Sequence, residues 1–157
     1  MEAKHILLLI IVLSLFGWIW YNSTLITYDD ITMLTDNWIN EVTVNHNPRA
    51  IYELFCKDGN LVGTVSQTKR KGKDIEKYFD YFAKLPGIKV VDKKYNISQL
   101  TKDVFINSAF ITWYWEGLEE PITARMTFVF RGKCIFQLHS STLPTLNEKL
   151  FEISGKK

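Results

Sequence analysis

A chain of 157 residues is the size of one domain and leaves little room for a second. Nineteen basic against seventeen acidic side chains give a net charge of +2, too near neutral for a nucleic-acid-binding face. Hydrophobic residues at 46% and charged residues at 23% exclude wholesale disorder, and 14% aromatics promise a well-filled core.

From Ile6 to Tyr21 the chain reads ILLLIIVLSLFGWIWY, interrupted only by Ser14 and Gly17. A bilayer-spanning helix needs about 20 apolar residues, and the core of a signal peptide about 7–15. This run lies between the two, and it extends to Leu25 and Ile26 if Asn22, Ser23 and Thr24 sit among headgroups. No small-x-small cleavage pattern stands near Gly17 or Ser23, and Trp18, Trp20 and Tyr21 cluster as interfacial aromatics do. Residues 1–27 are therefore expected to be a membrane anchor, contacting the bilayer through residues 6–26; a cleaved signal on a secreted protein is the alternative. Lys4 and His5 before the run, with Asp29 and Asp30 after it, orient a single-pass protein with its domain outside the cytoplasm. Sequons at Asn22 and Asn96 are compatible with that placement.

Beyond the anchor, Ile31, Leu34, Trp38, Ile39 and Val42 recur at helical spacing, which predicts an amphipathic helix over 30–44. Asn47 is an expected N-cap with Pro48 at the first helical position of a short second helix, which runs to Asp58-Gly59. Leu61 to Val65 reads as a short strand and Lys69 to Lys73 as a solvated basic turn. Asp74 opens a third helix whose Ile75, Tyr78, Phe79 and Phe82 form a core stripe ending at Leu85-Pro86-Gly87. The period then changes to two, predicting strands over 88–95, 104–115, 122–131 and 134–142. Helices followed by antiparallel strands make an α+β fold. The 104–115 strand is apolar on both faces, so helices are expected to cover one and a second subunit the other, with Trp113 and Trp115 at the interface.

The last two strands allow a register argument. Residues paired across antiparallel strands share a face, so apolar meets apolar. A three-residue loop, Arg131-Gly132-Lys133, sets Phe128 opposite Phe136 and Met126 opposite Leu138. The same register sets Arg125 opposite His139 and Thr127 opposite Gln137, giving a polar row on one face of the sheet.

These residues carry a resemblance. Trp38 and Val42, Asn47 through Leu54, Gly72 to Phe79, Ala124-Arg125-Met126-Thr127-Phe128, and His139-Ser140-Ser141 leading to Pro144 follow one another in an order similar to the nuclear-transport-factor-2-like superfamily. Within it the chain resembles the branch of SnoaL-like proteins, SgcJ/EcaC-type proteins and the calcium/calmodulin-dependent protein kinase II association domain. The resemblance implies a cone-shaped, curved antiparallel sheet wrapped around the N-terminal helices, over residues 28–145, with 146–157 as a tail. It also implies a pocket lined by Arg125 and His139, joined by Thr127, Tyr114 and Gln137, for a small carboxylate or polar ligand. Members commonly dimerise through the sheet, so a homodimer or larger homo-oligomer is implied. The kinase hub has a second arginine where this chain has Ser140.

An isomerase of this superfamily needs an Asp base and buried donors for an enolate oxygen. The strand interiors offer Tyr114, Arg125 and His139, while Asp103 and Glu116 stand at strand ends, and Asp36 and Glu41 read as exposed. No catalytic residue, metal or cofactor is assigned. Cys56 and Cys134 are expected to be buried free thiols. The expected function is a non-catalytic ligand-binding and oligomerisation domain, membrane-anchored or secreted; a small pocket enzyme of the SnoaL or ketosteroid-isomerase kind is the alternative.

Overall fold

The computed structural model describes residues 4–5, 10–15, 26–64 and 66–142. Most of the expected anchor or signal, and the tail at 146–157, lie outside the described residues. Residues 10–15 are helical, with Ile10, Ile11, Val12, Leu13 and Leu15 all exposed. Among the described residues, no helix is long and apolar enough to cross a membrane.

Helix α1 (Tyr28–Thr43) begins where the sequence supplies a capping box. The Thr27 side chain accepts from the Asp30 backbone N–H at 3.1 Å, and Asp30 accepts from the Thr27 N–H at 2.9 Å. Two of the otherwise unpaired donors at the helix start are satisfied in this way. Ile31, Trp38, Ile39 and Val42 then form the buried stripe that the spacing predicts. Asn47 caps α2 (Pro48–Glu53) through Ala50 N–H at 3.1 Å, with Pro48 in the first turn. In the α1–α2 turn His46 takes a φ of 47°, and its Nδ1–H donates to the Ala83 carbonyl at 2.7 Å.

The second helix is shorter than expected. The chain turns extended at Phe55 and forms β1 (Phe55–Gly63), then β2 (Ser66–Lys71), so Lys69 to Lys71 are an edge strand, not a turn. Helix α3 (Lys73–Phe82) follows, then β3 (Lys89–Thr101), β4 (Val104–Tyr114), β5 (Ile122–Arg131) and β6 (Cys134–Thr142). The six strands form one curved sheet in the order β2-β1-β6-β5-β4-β3. Every pair is antiparallel except β1 with β6, so the sheet is mixed and not wholly antiparallel as expected.

The helices cover one face only. On β4, Phe105, Asn107, Ala109, Ile111 and Trp113 are buried against them, while Ile106, Ser108, Phe110, Thr112 and Tyr114 look the other way. Trp38 is the centre of the core, with edge-on contacts to Phe128 at 5.2 Å, Phe79 at 5.7 Å and Trp113 at 6.0 Å between ring centroids. The expected subunit interface at Trp113 is therefore corrected. Trp113 is 3% exposed and packs inward, because odd-numbered residues of β4 face the helices.

Cys56 and Cys134 also depart from expectation. They are joined in a disulfide, Cα to Cα 5.0 Å, across 78 residues of sequence. The parallel pairing of β1 with β6, in register at Phe55 and Ile135, brings the two together. Nothing in their sequence spacing announces this, because a parallel pairing depends on the whole intervening topology.

Candidate functional site

The β5–β6 hairpin decides which side chains meet. Its turn is two residues, Gly132-Lys133, with Arg131 opposite Cys134 and Gly132 at φ 60°. A bulge between Val129 and Phe130 then leaves Phe136 unpaired, so Ile135 faces the core instead. Beyond the bulge Phe128 pairs with Leu138, Thr127 with His139 and Arg125 with Ser141. The expected register is thus displaced by two residues. A slip of two preserves the side-chain alternation, so Arg125 and His139 remain on one face.

That face is the outer one, away from the helices. Arg125 and His139 are exposed; Thr127, Gln137 and Tyr114 are half-buried beside them. The Arg125 guanidinium lies over the Phe110 ring at 5.5 Å, and Lys89 lies over Tyr114 at 5.1 Å. The structure therefore places all five expected pocket residues on the outer face of the neighbouring strands β4, β5 and β6, on a surface and not in a cavity. The expectation failed because it assigned the polar row to the inside of the cone. Burial favours the apolar row there, and the polar row faces out.

The cavity lies on the opposite, inner face, between α3 and strands β1, β6, β5 and β4. Its volume is about 270 Å³. Tyr78, Phe79, Phe82 and Leu85 form one wall, Trp38, Trp113 and Trp115 another, and Leu61, Ala124, Met126 and Leu138 the floor. Trp113 and Trp115, expected at a subunit interface, are cavity walls. The empty space follows from sequence locally: Gly63, Ala124 and Ser140 are small where they face the large rings of α3 and β4. Gly63 has a second consequence, since a Cβ there would stand 2.5 Å from the Tyr78 ring. Only glycine lets Tyr78 lie against β1.

The polar side-chain groups of the lining are hydroxyls and the indole N–H groups of its three tryptophans. Thr64 Oγ1 and Ser140 Oγ are 2.6 Å apart, Tyr78 lies beside them, and Thr142 closes the strand end. Burial raises the Tyr78 phenol above its ordinary range, opposed by a hydrogen bond from the Thr64 backbone and by Arg70, whose guanidinium stacks on the ring at 4.8 Å. Tyr78 therefore stays protonated at neutral pH. Among the described residues, no carboxylate, imidazole or free thiol lines this cavity. Asp36, read as exposed in the sequence, is an anchor on another surface. It accepts from Lys93 Nζ and Tyr95 Oη, each at 2.5 Å, and so ties α1 to β3. Burial, followed by this carboxylate, pushes the Tyr95 phenol upward.

Sequence reasoning missed Thr64, Tyr78 and Ser140 as site residues. The available signal was the stripe on α3, which was read as core; it is both core and cavity wall.

No family model and no curated protein matches the sequence. Solved structures do. A protein from Xanthomonas campestris described as a calcium/calmodulin-dependent protein kinase II association domain is 29% identical, with a TM-score of 0.63, over 74% of this chain and 87% of that one. A cystatin-like domain from Nostoc punctiforme is 15% identical with a TM-score of 0.66, over 82% of this chain and 86% of that one. A protein from Parabacteroides distasonis described as a ketosteroid isomerase is 19% identical with a TM-score of 0.55, over 74% and 88%. At such identities the last two bear on the fold alone. The curved mixed sheet, the inner cavity and these neighbours together fit the nuclear-transport-factor-2-like, SnoaL-like superfamily.

Proposed function

We propose that this protein is a non-catalytic binding domain that takes a small apolar ligand in the cavity between α3 and the inner sheet face. The carrying observation is the lining itself: aromatic and aliphatic walls with a few hydroxyls at one end. That is the composition of a small-molecule site. A dry cavity of about 150 Å³ accepts benzene, so about 270 Å³ has room for a bicyclic ring. The enzymatic alternative needs a positioned acid or base, and the described lining offers hydroxyls and indoles without a carboxylate or imidazole. A small polar acid, the ligand class expected from Arg125 and His139, is replaced in this reading because those residues are on the outer face.

Methionine methyl labelling of the full chain tests this directly. Met126 lines the cavity, whereas Met33 is 69% exposed and serves as the control. Naphthalene should shift the Met126 methyl resonance and leave Met33 unmoved, and Ala124→Phe should abolish the shift. An unmoved Met126 at saturating naphthalene overturns the proposal.

The domain acts outside the cytoplasm, on an N-terminal anchor or after its removal. A disulfide fits an oxidising compartment, and the exposed apolar side chains of residues 10–15 fit burial in lipid. Full-length protein should resist carbonate extraction from membranes. Release by carbonate, together with an intact mass that includes Met1, would defeat both forms of this reading.

Self-association through the outer face completes the proposal. Ile106, Phe110 and Val129 form an apolar strip there, with Phe110 39% exposed, and a second copy of the same face is its partner. Phe110→Glu should convert a dimer or larger assembly to a folded monomer by light scattering. A monomeric wild type would contradict it.

A further inference from the structure

The hydroxyl end of the cavity has more donors than the protein uses. Thr64, Tyr78 and Ser140 each carry one O–H proton. The Thr64–Ser140 contact at 2.6 Å consumes one of these, whichever residue donates. Among the described residues the Tyr78 hydroxyl donates no hydrogen bond, so its proton is free. Two O–H protons are therefore available at one end of an otherwise apolar space, and Ser140 is only 7% exposed. Among the described lining residues there is no lysine, arginine or histidine. An entering carboxylate would be desolvated without a counter-charge, which is costly, whereas a neutral oxygen acceptor would be satisfied by hydrogen bonds alone.

Resting on the reading of this cavity as a ligand site, we propose that Tyr78, Ser140 and Thr64 form an acceptor-recognising end that selects apolar ligands bearing an uncharged carbonyl oxygen. The ligand's hydrocarbon body lies against Trp113, Phe82 and Met126, and its carbonyl takes the two free O–H protons. Gly63 and Arg70 hold this arrangement from behind. Gly63 leaves room for the Tyr78 ring against the strand, and the Arg70 guanidinium lies over that ring. They are positioning residues, while the three hydroxyls touch the ligand.

The test uses two probes of nearly the same shape. 2-Acetylnaphthalene carries a ketone, and 2-isopropenylnaphthalene replaces its oxygen with a methylene group. Each is titrated against the methyl-labelled full chain, reading Met126. Tyr78→Phe should weaken the ketone about tenfold and leave the hydrocarbon within about twofold, and Ser140→Ala should do the same to a lesser degree, as loss of single hydrogen bonds implies. 2-Naphthoate should bind more weakly than the ketone. Equal effects of Tyr78→Phe and Ser140→Ala on ketone and hydrocarbon would overturn the proposal while leaving the cavity reading intact. Tighter binding of naphthoate than of the ketone would overturn the preference for an uncharged acceptor. Failure of both neutral probes to move Met126 in the wild type would remove the cavity reading and this proposal with it. The melting temperature of each variant shows whether it is folded, and Ser140→Ala supplies the comparison if Tyr78→Phe is not.

Discussion

Removing the Cys56–Cys134 disulfide, by reduction or by the double change to Ala, should lower the unfolding free energy by about 2–5 kcal/mol. The cross-link closes a loop of 78 residues, for which the chain-entropy argument gives about 4.5 kcal/mol. Its location adds a local reason for a large effect. It joins the first residues of β1 to the first of β6, the one parallel pairing in the sheet, whose register shifts between Phe55 and Asn60. Parallel pairs are slightly weaker per residue than antiparallel ones, so this seam gains most from a covalent tie. Urea unfolding with and without reductant measures the difference. Thiol titration of the unfolded, unreduced protein should find no free cysteine. Two titratable thiols, or a midpoint insensitive to reductant, would show that the bond is absent in solution.

Trp38→Ala should cost about 3–5 kcal/mol, as removal of a large buried aromatic side chain does. Trp38 is 1% exposed and touches the α3 wall through Phe79, β4 through Trp113 and β5 through Phe128. No neighbour can collapse into the vacated space easily, since it adjoins a cavity that is already open. Trp38→Phe sharpens the test. The Trp38 Nε1–H is buried with no hydrogen-bond partner among the described residues, so Phe keeps a ring while deleting an unsatisfied donor. The Phe variant should therefore lose at least about 2 kcal/mol less than the Ala variant. Urea titration of both decides this. A loss under about 1 kcal/mol for Trp38→Ala would mean that the core is not organised around this indole.

The elements legible in the sequence are those held by local chemistry. The α1 stripe, the Asn47-Pro48 start of α2, the α3 stripe and the four later strands follow from spacing, caps and alternation within about ten residues, except that β3 runs six residues past its expected end at Tyr95. The second helix was overextended because Phe55 and Cys56 continue an apolar pattern that suits either state, and pairing with β6 drew them into a strand. The basic segment at Lys69 to Lys71 became a strand for a similar reason: β1 lies alongside it, with Leu61 opposite Arg70.

Within the candidate site, the sequence by itself determined parity. Alternation along β5 and β6 places Arg125, Thr127 and His139 on one face and Ala124, Met126 and Phe128 on the other, whatever the register, provided it slips by an even number. Only the tertiary structure decided which face encloses the cavity, because either row could in principle look inward until α1 and α3 are laid on the sheet. The helices present apolar stripes, water is expelled most favourably between two apolar surfaces, and so the polar row was left outside. The disulfide and the Thr64, Tyr78 and Ser140 cluster were likewise decided at that level. Their members stand 14 to 78 residues apart, and nothing local brings them together before the sheet closes.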